Sequence, residues 1–248
     1  MFIFFDKIYL DGYNSSSSFL KKIMYIITSN NRIFLNEKIG PIRVYTLQGI
    51  LVKEIKGSNE DTFNIETFFD NLSNKNYIIC CVNRHLKMRS KILFEKKEFK
   101  SYDFDKNKIY CIHEGVDDVR NIIVYKKDNI NLLIGGNYLG MIGMWNFDTG
   151  KLLKKFNVYS GNKNGPCNLC LWNSNYLLIG CFNENNVIEY KEKSVIKILE
   201  LKSGNIKGKY YDFKEKLFTI KKIVIPKYGE CLLTLEENGE INLWKNKI

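Results

Sequence analysis

The sequence predicts an all-β fold of repeated four-stranded antiparallel sheets, and three observations carry that prediction. Short apolar runs recur at wide spacing: Ile27, Ile79, Leu133, Leu178 and Leu233 align as centres of equivalent strands. The stretch LLIGGNYLGMIGMWNFDTGK, from Leu132 to Lys151, alternates apolar strand patterns with turn residues, and Trp145 ends its second strand. Glycine marks the turns: Gly140 suits the left-handed conformation of a tight hairpin, and Asn238-Gly239 is a strong hairpin signal of the same kind. A fixed repeat decides the fold before any single motif does.

The units follow in order. The first, at about 18–57, offers Ile23–Thr28 and Ile42–Leu47 as its second and third strands and Ile50–Ile55 as its last, with Asn30–Gly40 as an insertion between them. The second, at about 58–104, is the weakest: YIICCV at Tyr77–Val82 reads as a buried strand, and the charged His85–Lys100 segment is either a degenerate blade or an irregular excursion. The third, at about 106–158, has strands at Val119–Tyr125, Asn131–Gly136, Met141–Phe147 and Lys151–Phe156. The fourth, at about 161–204, reads CNLCLW, YLLIGCF, NVIEY and VIKILEL; the fifth, at about 205–248, reads FTIKKIVI, ECLLTL and EINLW and has no fourth strand. An opening strand candidate, Phe2–Leu10, is expected to close the array beside Ile241–Trp244 or to be an ordinary outer strand.

These features resemble WD40 repeats, and in the third unit the matching residues are Leu132, Leu133, Gly136, Gly140, Ile142, Trp145, Thr149, Gly150, Lys151 and Leu152. The resemblance implies a β-propeller of four-stranded antiparallel blades, with about five blades visible, forming a single domain over 1–248. It covers 18–57 and 106–248 well and 58–105 poorly. Tyr45-Thr46 stands where the family has Trp-Asp, and Asn146 and Lys245 follow tryptophans in place of Asp. The family's buried Asp, His, Ser and Trp network is largely missing, so each blade is expected to depend on apolar packing. Five blades is few for the family. A closed small propeller, a shortened chain and an open propeller completed by another chain all fit.

Hydrophobic residues at 45% and aromatics at 14% exclude a disordered chain. The formal net charge of +11 has two readings, a nucleic-acid surface or solvated lysines that follow an AT-rich genome. Only five of the 38 basic residues are Arg, the residue suited to phosphate forks and base stacking, which favours the second. Seven cysteines without a scaffold spacing, five of them (Cys80, Cys81, Cys170, Cys181 and Cys231) in apolar runs, read as free thiols in a reducing, intracellular compartment, cytoplasmic or nuclear. Cys167-Asn168-Leu169-Cys170 lacks further ligands at zinc spacing. Residues 129–147 are uncharged but carry four Gly and four Asn, so they read as two strands with a turn rather than a membrane span.

No phosphate loop, nucleophile elbow or carboxylate dyad is present. His85 reads as a solvated loop residue, His113 as a loop residue before the third unit, and the pairs Asp117-Asp118 and Glu236-Glu237 as solvated turns. The expectation is therefore a non-enzyme without cofactor or metal that binds other proteins as part of a larger complex. The alternative is a ribonucleoprotein-associated propeller binding RNA through its basic surface. A propeller enzyme comes third, and no membrane contact is expected. The resemblance puts the turns between second and third strands on the binding face. The candidate protein contacts are Arg32, Phe34, Tyr138, Leu139 and Phe182.

Overall fold

The structure is a computed structural model. It describes residues 23–29, 32–37, 41–55, 61–70, 73–88, 91–106, 108–116, 119–137, 140–158, 168–182, 194–210, 213, 215, 217–236 and 238–245. Within these, only the backbone is described at 23–29, 36–37, 61–65, 81–88, 91–99, 120, 182 and 218. The candidate contacts Tyr138 and Leu139, the Phe2–Leu10 strand, Asp117-Asp118, Cys167 and the NVIEY run at 186–190 lie outside the described residues.

Every described regular element is a β-strand, and the chain divides into two compact units, Met1–His113 and Glu114–Ile248. The first unit holds two sheets. Blade one is β1 (Ile23–Ser29), β2 (Arg32–Glu37), β3 (Ile42–Thr46) and β4 (Leu51–Ile55). Blade two is β5 (Asp61–Asp70), β6 (Lys75–Met88), β7 (Lys91–Asp103) and β8 (Lys108–His113). The second unit holds three sheets. Blade three is β9 (Val119–Lys127), β10 (Ile130–Asn137), β11 (Met141–Asn146) and β12 (Leu152–Asn157). Blade four is β13 (Asn168–Asn173), β14 (Tyr176–Phe182), β15 (Ser194–Glu200) and β16 (Ile206–Tyr210). Blade five has three described strands, β17 (Leu217–Ile225), β18 (Gly229–Glu236) and β19 (Ile241–Lys245). Each sheet is an antiparallel meander in chain order.

Blade three has the four strands its sequence predicts: β10 and β11 pair antiparallel within 129–147, and Gly140 before β11 has φ 83°. Four other expectations change. The Asn30–Gly40 segment is not an insertion, because Arg32–Glu37 pairs with both β1 and β3 as the second strand of blade one. His85–Lys100 is not an irregular excursion: β6 and β7 form a long hairpin there, and His85 lies on a strand. VIKILEL is the third strand of blade four, and the fourth is Ile206–Tyr210, which the sequence reading gave to blade five. His113 ends β8 and is buried rather than sitting in a loop.

A single turn design repeats after the third strands of blades one to four. The last residue of each folds its side chain back onto the turn. Asn146 Oδ1 accepts from the Asp148 and Thr149 N–H groups at 3.0 and 2.9 Å. Asp103 Oδ1 accepts from Asp105 and Lys106, and Thr46 Oγ1 accepts from Gln48 and Ile50. In blade four the Ser203 hydroxyl donates to Glu200, which with Lys207 holds that carboxyl below its usual range. Such short acceptors satisfy turn N–H groups that no ladder reaches. The next residue donates its N–H to an Asn carbonyl at the start of the second strand, or just before it in blade four: Phe104 to Asn76, Phe147 to Asn131 and Leu201 to Asn175, at 2.8–2.9 Å. This fixes the register of all three blades and places Tyr45, Tyr102, Trp145 and Leu199 at one equivalent position.

Trp145 is fully buried, and its indole N–H donates to the Glu114 carbonyl at 2.7 Å. The ring lies over Gly143, which pairs across the ladder with Gly135. A Cβ on Gly143 would meet three ring atoms at 2.3–2.8 Å, so the glycine is required by close approach rather than by φ. Blades three and four then pack through Leu132, Ile134, Ile142, Met144 and Phe156 against Leu177, Ile179, Val195 and Leu199. Apolar packing is not alone. Buried Ser194 accepts the Leu217 N–H at 2.6 Å, buried Asn137 accepts that of Met141 at 2.9 Å, and buried Glu236 accepts that of Glu215 at 2.8 Å. Glu236 is thus a strand-end anchor rather than part of a solvated turn.

Candidate functional site

Within the second unit, the junction of blades four and five opens into a groove of about 710 Å³. That is within the usual range for binding clefts, about 300–1,000 Å³. The strand alternation that aims Tyr176, Leu178, Ile196 and Ile198 at blade five builds one wall. Leu232 and Trp244, paired across β18 and β19, build the other. The Trp244 indole N–H donates to Thr234 Oγ1 at 2.9 Å, which leaves its ring face as apolar lining. Tyr210 meets that ring edge-on, with centroids 4.9 Å apart. The lysines Lys207 and Lys245 also line the groove. Lys207 pairs with Glu200 at 3.3 Å, and the Lys245 ammonium lies 5.2 Å from the centre of the Tyr228 ring.

The register explains why this junction is open. Phe156 and Lys154 on β12 correspond to Tyr210 and Gly208 on β16, since each pair faces Ile142 and Met144, or Ile196 and Ile198, across its ladder. Between blades three and four, Phe156 is buried, Gly204 of the following turn packs on its ring, and Lys154 Nζ donates to the Leu201 and Lys202 carbonyls at 3.2 and 2.7 Å. Between blades four and five, Gly208 has no side chain to reach across, and Tyr210 is 36% exposed. Among the described residues, blade five supplies no fourth strand and no turn to cover it.

In the first unit, Arg32 and Phe34 do come together, on β2 rather than on a loop. They line a small cleft of about 110 Å³ with Phe104 and Tyr77, too small for a drug-sized ligand. Phe34 is 5% exposed, with its ring edge toward Phe104, so it is a core residue and not a protruding anchor. The correction follows from the strand: alternation turns Phe34 inward with Val44 and Ile55. The Arg32 guanidinium and Lys53 ammonium both lie over the Phe104 ring, at 5.0 and 4.5 Å, and Lys53 also donates to the Phe104 and Asp105 carbonyls. Lys53 is thus the register equivalent of Lys154 and makes the same bridge to the next blade. Phe182 ends β14, and the structure describes its backbone alone.

The remaining chemistry-bearing pair is Ser101 and His113. Ser101 Oγ lies 3.2 Å from His113 Nε2, and both residues are buried. Burial pushes the imidazole down to about 4, so it is neutral near pH 7 and closed off from any substrate. Burial also pushes the Cys170 thiol up, so it is held as an unreactive thiol. Among the described residues no group of His, Cys, Asp and Glu could hold a metal ion, and no helix is long and apolar enough to cross a membrane.

Comparison with solved structures bears on the blades directly. BBS1N, crystallised in complex with ARL6DN, superposes over 91% of this chain and 64% of its own at a TM-score of 0.65 and 11% identity. The fold is that of a β-propeller. The WD40 β-propeller domain of Doa1 superposes over 90% of this chain and 63% of its own, at a TM-score of 0.57 and 12% identity. The chain therefore spans less than two thirds of either structure, and the likeness shows the fold alone. No protein-family model and no curated protein matches the sequence.

Sequence reasoning missed the groove. Two signals point to it: blade five has no fourth strand among the described residues, and Gly208 stands where blade three has Lys154.

Proposed function

We propose that this chain is a non-catalytic binding platform for other proteins, working within a larger intracellular assembly in the cytoplasm or nucleus. The observation that carries the reading is the blade-four/blade-five groove. It is an apolar, aromatic-walled surface opening between two described sheets of the second unit, and such surfaces on soluble domains are typically interaction sites. The crystallisation of the similar BBS1N with a protein partner is in keeping with this. The His113–Ser101 pair supports no catalysis, because both groups are buried.

The alternative rests on the +11 charge. Several ammonium groups, however, are already committed to the protein's own carbonyls: Lys53, Lys127, Lys154, Lys155, Lys197 and Lys222. These lysines tie neighbouring segments together instead of forming a phosphate track. The test is affinity capture of the tagged full chain from native lysate, split between nuclease-treated and untreated samples. Protein partners retained after nuclease and moderate salt support the platform. Partners lost with nuclease make the RNA reading the correct one, since phosphate contacts weaken steeply with salt.

A further inference from the structure

The neighbouring junction defines the shape of the groove. Between blades three and four, the outer strand β16 lays Ile206 against the shared core, and the turn before it adds buried Leu201. Between blades four and five, no described residue takes either place. Instead, β19 pairs with β18 on one side and with no described strand on the other. Its side chains alternate: Ile241 and Leu243 are 64% and 49% exposed, while Trp244 faces the groove. An edge strand beside an apolar trough is the arrangement that β-strand addition uses. Backbone bonds give affinity, and alternate side chains enter the trough.

The charge around the trough is one-sided. Lys207 and Lys245 line it. Glu200 balances Lys207 in part, and the described acidic groups on blade five are engaged within the blade: Glu236 and Glu240 bond to Asn242, and Glu230 pairs with Lys222 at 2.8 Å. A ligand strand running past Lys245 therefore meets ammonium groups at its flanks and aromatic rings below.

We propose that this groove takes an extended acidic segment of another protein, added as a fourth strand along β19. One aliphatic or aromatic side chain enters the trough beside Tyr210 and Trp244, where Ile206 sits in the previous junction. Carboxylates on the flanking positions meet Lys207 and Lys245. This rests on the binding-platform reading and gives that platform its partner chemistry.

The probe is a fluorescein-labelled dodecapeptide alternating Leu or Phe with Glu, titrated against the full chain by fluorescence polarisation. Two controls share its length: one with Ser in place of Leu and Phe, and one N-methylated at alternate backbone amides on the pairing edge. Saturable binding is expected, weakened about tenfold or more by either change, since each removes contacts worth more than a single ladder bond. Lys245→Glu is expected to weaken it about fivefold through charge reversal at an exposed site. The N-methylated probe leaves the protein unaltered, so its result does not depend on whether a variant folds.

Hydrogen exchange on the 240–248 peptide is the second readout. Fast exchange in the free chain that slows on adding the probe supports the proposal. Three results overturn it: absence of binding by the full chain, equal binding of the N-methylated and parent probes, and slow exchange at β19 before any probe is added. The last would mean that this chain itself covers the edge. If the probe fails while affinity capture still retains protein partners, the groove assignment falls and the platform reading stands. If capture also fails, both fall.

Discussion

Replacing Gly143 with Ala tests the packing on which blade three depends. The new Cβ would lie 2.3, 2.6 and 2.8 Å from Cη2, Cζ2 and Cζ3 of Trp145, far inside van der Waals contact. The ring has little freedom to retreat, being fully buried and tied by its N–H to the Glu114 carbonyl at 2.7 Å. Overpacking of this kind costs about 1–3 kcal/mol. Partial loss of the indole hydrogen bond adds about 1 kcal/mol. The stiffer unfolded chain of Ala returns about 0.5 kcal/mol. The net expectation for Gly143→Ala is a loss of about 2–3 kcal/mol, read as a lower urea midpoint by far-ultraviolet circular dichroism. A phenyl ring at position 145 ends short of the three contacted atoms. Trp145→Phe should therefore absorb most of the clash, and the double variant should be less destabilised than the sum of the singles by about 1 kcal/mol or more. If the two substitutions add to within about 0.5 kcal/mol, the slot between Gly143 and Trp145 does not constrain the blade and the reasoning is refuted.

Three further outcomes follow from other contacts. His113 is held neutral with its pKa near 4 against 6.5 unfolded, so the unfolded chain binds the extra proton first and stability falls as pH drops from 6.5 toward 4. The loss approaches about 3 kcal/mol, and His113→Gln should flatten that part of a denaturation-versus-pH curve while the parent slopes. Lys154→Met removes the ammonium that donates to the Leu201 and Lys202 carbonyls, and should lower stability by about 1 kcal/mol with faster amide exchange in the 201–205 turn. Asn146→Ala leaves the Asp148 and Thr149 N–H groups without their acceptor and should cost about 1 kcal/mol in thermal denaturation, whereas Asn146→Asp, which keeps the acceptor, should stay within about 0.5 kcal/mol.

Blade three was legible because its signals are local. Thr149-Gly150, Gly140 and the Leu132–Ile134 run sit within one short stretch, and each turn needs only its own residues. Blade four was misassigned although the same signal is present. Ser203-Gly204-Asn205-Ile206 repeats Thr149-Gly150-Lys151-Leu152, with positive φ at both glycines (78° and 69°) and the same turn bonds, Glu200 to Asn205 and Asn146 to Lys151. That match marks VIKILEL as a third strand. Blade one slipped by a strand because Ile27 was aligned with Leu133. The ladder instead sets Ile33 opposite Tyr45 as Leu133 is set opposite Trp145.

A one-residue error in register flips a strand's faces. This is why the alignment through Ile79 and Leu178 missed the inward row of Ile78 and Leu177, although the recurring Asn76, Asn131 and Asn175 fix it. The candidate contacts were legible only as far as strands could be placed. Phe34 looked exposed when its segment read as a loop, and becomes core once that segment pairs on both sides. The groove was hidden because it arises from what a junction lacks. Neither Gly208 nor the three-stranded sheet announces a cavity until the packed junction of blades three and four is set beside it.

Lysine-directed cross-linking of the complex captured by the full chain, read by mass spectrometry, tests the central claim most directly. The account predicts that cross-links to partner proteins concentrate at Lys207 and Lys245, on either side of the blade-four/blade-five groove. Partner cross-links that avoid both lysines and fall on other surfaces would contradict it.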